Sequence, residues 1–139
     1  MKSIVTLLRV KQREMDALKR QQGVLEQQRE EVNGIIASLA RQLASEREAA
    51  EKMPDMAHFF GDYSAAIKKQ ELMMLTHLRQ LEHELSKLTT QIHERFSETK
   101  KYELALANWN KRKDAKAAAQ AQQEMDEIGL RGYVRNDAV

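Results

Sequence analysis

A chain of 139 residues is long enough for one domain, but 5% aromatic and 32% charged residues, one Pro and five Gly do not supply a thick globular core. Gln, Glu, Lys, Arg, Ala and Leu fill most of the remainder, which is the composition of long helices; a helix that buries one stripe cannot wall off a substrate pocket, so neither catalysis nor a cofactor is expected. Lys plus Arg number 23 against 21 Asp plus Glu, a net charge of +2 with the signs interspersed, and this argues against nucleic acid as a partner. The absence of Cys excludes disulfides and thiolate metal sites and suits a reducing compartment.

The opening residues, Met1 to Arg9, superficially resemble a signal peptide, but Thr6 and Arg9 interrupt the apolar stretch too early and no small-residue cleavage pattern follows. No apolar run is long enough to span a bilayer, so a cytoplasmic location is expected, touching a membrane only through a larger complex. From Ile4, alternate steps of four and three residues pass through Leu8, Lys11, Met15, Leu18, Gln22, Leu25, Arg29, Val32, Ile36, Leu39, Leu43, Glu46, Ala50 and Met53. This mostly apolar seam, sustained over about seven heptads, predicts a first helix over 3–53, with Gly23 and Asn33-Gly34 as its weak points.

Pro54 ends that run, because proline disfavours helix in the residue before it and has no N–H to donate. A turn is expected over 54–61, with Asp55 and Asp62 as alternative N-caps for a second helix over 62–128. That helix carries its own seam: Ile67, Glu71, Met74, Leu78, Leu81, Leu85, Leu88, Ile92, Arg95, Thr99, Tyr102, Leu106 and Trp109. Beyond Trp109 the same count meets only Lys113, Lys116, Gln120, Gln123 and Glu127, yet the alanines between 115 and 121 keep helix propensity high until Gly129 and Gly132. Folding back at the proline sets Ile4 opposite about residue 109, where the seam dies.

The expected fold is therefore all-α: two long helices in a single antiparallel coiled-coil hairpin over 1–128, helix 2 longer than helix 1, then a flexible tail over 129–139. Lys11, Gln22, Arg29, Glu46, Glu71 and Arg95 inside the seams penalise slipped registers or contact partners. A lone two-helix hairpin buries little area, so a protein partner is expected. The four histidines lack the three- or four-residue spacing of a helical metal site, and no carboxylate pair can be nominated as acid and base. Lys111-Arg112-Lys113 beside Trp109, with Arg131 and Arg135 later, could contact nucleic acid, but nearby Asp114, Glu124, Asp126 and Glu127 cancel the local field, which favours Trp109 as a cap on the end of the seam with the cations on solvated faces. Phe59, Phe60 and Tyr63 crowd the turn, near Met56, Met73 and Met74; they either plug the hairpin end or form a docking patch.

Phe60-x-x-Tyr63-x-x-x-Ile67 at the start of helix 2, Lys100-Lys101-Tyr102-Glu103-Leu104, and Glu124-Met125-Asp126-Glu127-Ile128 together resemble elements of the FliJ family of the flagellar type III export apparatus, and of its YscO-like virulence counterparts. The resemblance implies an antiparallel stalk hairpin without activity of its own, whose paired N- and C-terminal end enters the hexameric export ATPase FliI. On this sequence the ATPase-binding positions are Arg9, Arg13, Lys101, Trp109, Met125, Asp126 and Glu127. It also implies that early helix 2 contacts the export gate protein FlhA through Phe60, Tyr63, Ile67, Gln70 and Met74, where Gln70 is larger than the residue expected at its place. The family further escorts export chaperones. Two other classes compete on residues alone: a self-associating structural coiled coil, and a coiled coil that binds nucleic acid.

Overall fold

A computed structural model describes residues 2–137, with side chains described through Val134. Every described element is helical: α1 (Lys2–Lys52), a short 3-10 turn (Pro54–Met56) and α2 (Ala57–Asp137). The fold is all-α, and α2 is the longer helix, 81 residues against 51. The helices contact each other within two compact units, one of residues 2–12 with 96–137 and the other Arg13–Arg95.

Within Arg13–Arg95 the buried side chains are Met15, Val32 and Leu39 of α1 and Ile67, Leu81, Leu85 and Leu88 of α2, all on the two seams. Polar cross-links show the pairing sense. Gln22 Nε2 donates to Thr89 Oγ1 at 3.3 Å, Thr89 Oγ1 donates to the Leu85 carbonyl at 2.8 Å, and Arg95 is paired with Glu14. Moving down α1 from Gln22 to Glu14 moves up α2 from Thr89 to Arg95, so the pair is antiparallel. In the other unit Lys11 Nζ meets Glu98 at 3.1 Å, and the first turns of α1 share a hollow with Leu106 and Trp109, again antiparallel. Three of the seam polars, Lys11, Gln22 and Arg95, thus reach the opposite helix, where an apolar side chain would accept any register.

The turn is tighter than its residues suggest. Met53 leaves the helical region at φ −127 and ψ 82, Pro54 opens the 3-10 turn, and the Met56 N–H donates to the Met53 carbonyl at 3.0 Å. Proline at the first position of a helical turn forfeits no bond and brings a ready φ, so the helix restarts at once. Asp55 therefore lies inside the 3-10 turn and Asp62 inside α2, and no side chain caps the 3-10 turn at its start. Gly61 is helical as well, at a cost of about 1 kcal/mol, and on either side of it Phe60 and Tyr63 border the hollow facing α1.

At the other end the helix passes Gly129 and Gly132 and runs to Asp137, where a tail was expected; residues 138–139 lie outside the described residues. Two glycines without a following proline cost roughly 2 kcal/mol together, and Leu130, Arg131, Tyr133 and Val134 place no barrier to the α region. Neither these glycines nor Gly23 and Gly34 have positive φ. Among the described residues no helix is long and apolar enough to cross a membrane.

Candidate protein-docking surfaces

The aromatic turn forms a hollow. Ala49, Ala50 and Met53 from the end of α1 face Met56, Phe60 and Tyr63 across a space of about 380 Å³, with Glu46 and Phe59 at its edge. A small residue on α1 makes this room: Ala50 stands on the seam where Leu39 and Leu43 stand farther on, and Ala49 beside it is small as well, so a gap is left that Phe60 and Tyr63 border. Phe59 points outward, its ring tilted against that of His58 with centroids 4.0 Å apart. An open apolar recess with one carboxylate at its rim suits a protein segment carrying an apolar anchor.

The sequence-predicted gate residues divide across this surface. Phe60 and Tyr63 border the hollow and are half-buried, Met74 is half-buried, and Gln70 is exposed. Ile67 is only 6% exposed and belongs to the seam, so it supports the surface from beneath and cannot itself present a contact. The exposed apolar neighbours Leu72 and Met73 lie on the same stretch of α2; their offset from the seam count is the signal by which they can be found.

The second surface lies in the unit of residues 2–12 with 96–137. Lys2, Val5, Thr6 and Arg9 of α1 and Leu106, Trp109 and Asn110 of α2 surround a hollow of about 530 Å³. Trp109 does not close the seam as a buried cap: it is 38% exposed, and the Lys113 Nζ sits 5.3 Å from its ring centroid. From 107 to 134 every residue of α2 is exposed. Arg9 and Trp109 are thus brought together at one hollow, while Met125, Asp126 and Glu127 lie roughly 24 Å farther along the helix, at about 1.5 Å per residue. Being consecutive, those three fall on different faces. Lys101 is exposed on the same helix, and Arg13, exposed too, belongs to the other unit.

Charge along this length of α2 is mixed: Lys111, Arg112, Lys113 and Lys116 flank Asp114, and Glu124, Asp126 and Glu127 precede Arg131. Gln122 Nε2 donates to Asp126 at 3.1 Å. His58, His77, His83 and His93 are all exposed, and among the described residues no group of His, Cys, Asp or Glu could hold a metal ion. Comparison with protein-family models, with curated proteins and with solved structures finds no match.

Proposed function

We propose that this chain is a non-enzymatic stalk component of a type III protein export apparatus, acting by binding other proteins at two surfaces. The observation that carries the reading is the length of α2 from 107 to 134, helical and exposed throughout, a stretch of helix that α1 does not cover and that carries exposed apolar side chains among its charges. Together with the FliJ-like motifs, it supports a partner of the hexameric export ATPase, contacted through Arg9, Arg13, Lys101, Trp109 and the Met125-Asp126-Glu127 segment. The hollow of Phe60 and Tyr63 is the corresponding surface for the export gate, extended by Gln70 and Met74. Contacts at both surfaces would couple the state of the ATPase ring to that of the gate, each biasing the other by its differential binding energy. ATP hydrolysis belongs to the ring; this chain would work in the cytoplasm, peripheral to the inner-membrane apparatus, and assist export chaperones there.

The test is co-purification of the full chain with the export ATPase, followed by ATPase rate and hexamer formation with and without the chain. The reading expects binding and a raised rate or hexamer fraction; no binding together with no change in either would sink it. Gate binding is tested with Tyr63→Ala and Gln70→Ala, both outside the buried core, which should weaken it with helicity unchanged.

A further inference from the structure

The exposed length of α2 bears a ridge that the α1-facing seam does not pass through. Ala118, Ala121, Met125, Ile128 and Gly132 follow one another at spacings of three and four, the repeat of a coiled-coil face. At about 100° per residue the ridge is turned roughly a third of a turn from Leu106 and Tyr102, which lie on the α1 side. All five residues are exposed, and Met125 and Ile128 are each 68% exposed. One exposed apolar side chain needs no explanation; a ridge at coiled-coil spacing with charged residues on its flank is the pattern by which one helix packs on another.

We infer that this ridge is a self-association surface, covered by the same ridge of a second copy running antiparallel. A two-fold axis between Asp126 and Glu127 seats Met125 against Ile128 of the second copy and Ile128 against its Met125. Ala121 then lies opposite Gly132 at both ends, so the large side chains share the centre and the small ones let the backbones close on either side. Charge selects the direction. On one flank of the ridge stand Glu124 and Arg131, and the antiparallel pair sets Glu124 beside Arg131 of the second copy, and the reverse, one ion pair on each side of the axis. A parallel pair would set Glu124 beside Gly129, which has no charge to offer. This inference stands apart from the export reading, since it uses only the geometry and charge of α2.

The paired face is short, so association is weak and is measured on the full chain by sedimentation equilibrium from about 10 μM to about 1 mM. The mass should climb toward two chains, while Met125→Lys combined with Ile128→Lys should stay monomeric throughout with unchanged helical circular dichroism. A wild-type chain that remains monomeric at every concentration, or a double variant that still dimerises, would overturn the proposal. Glu124→Arg and Arg131→Glu should each weaken association by about threefold to tenfold, and the two together should restore it. Failure of that restoration rejects the Glu124–Arg131 pairing and the register with it. A spin label at Arg112→Cys reads direction: about 45 Å between labels in the antiparallel pair at about 1.5 Å per residue, and a distance under about 20 Å if the helices are parallel, which would overturn it.

Discussion

Tyr63 and Ile67 stand four residues apart on α2, yet the helix assigns them different work. Tyr63 borders the hollow at the turn, and Ile67 is buried between the helices. Ile67→Ala should therefore lower unfolding free energy by about 2 to 3 kcal/mol in urea titration, the cost of a deleted core side chain, and any loss of gate binding would follow that loss of structure. Tyr63→Ala should cost under about 1 kcal/mol, because its ring already meets open space. At this scale the seams were legible from periodicity: Met15, Val32, Leu39, Leu81, Leu85 and Leu88 are buried where the count of four and three places them. Trp109 was less so, since the count marks a face without saying whether the opposite helix fills it, and here a hollow remains. The ridge through Met125 and Ile128 escaped the count for a related reason: it lies in a different register, and a single register was followed to the end of the helix.

The elements differ from expectation only at their ends, where local rules compete. Pro54 does end α1, which stops at Lys52, but it also opens the next helical turn, and Gly61, Gly129 and Gly132, where a turn and a stop are expected, are each a cost of about 1 kcal/mol that a long helix absorbs. The interior glycines supply the test. A Cβ built at Gly23 or Gly34 meets nothing within 4 Å and both residues already have helical geometry, so Gly23→Ala and Gly34→Ala should each raise stability by about 0.5 to 1 kcal/mol. Thermal and urea unfolding followed at 222 nm would check it; a destabilised alanine variant would mean that those positions need the space for something else.

For the molecule as a whole, burial is confined to the stretch where α1 and α2 face each other, and residues 107–134 add none. A chain ended after Arg112 should therefore melt within about 3 °C of the full chain in dilute solution, although it has lost Met125, Asp126 and Glu127 of the proposed ATPase contact and the whole self-association ridge. Stability and partner binding would separate cleanly in such a pair of proteins.

The bend between the helices rests on very little: Met53 alone steps out of helical geometry before Pro54 restarts it. Were that residue to go helical, α1 and α2 would merge into one unbroken rod, and each half could satisfy its seam only on another molecule. Proline disfavours this sterically by biasing its predecessor out of the α region. Pro54→Ala should thus let chains trade arms: refolded at high concentration, it should yield interlocked dimers, seen as energy transfer between differently labelled chains, where the native sequence yields none by this route. The lone proline acts as a lock that keeps each chain folded on itself.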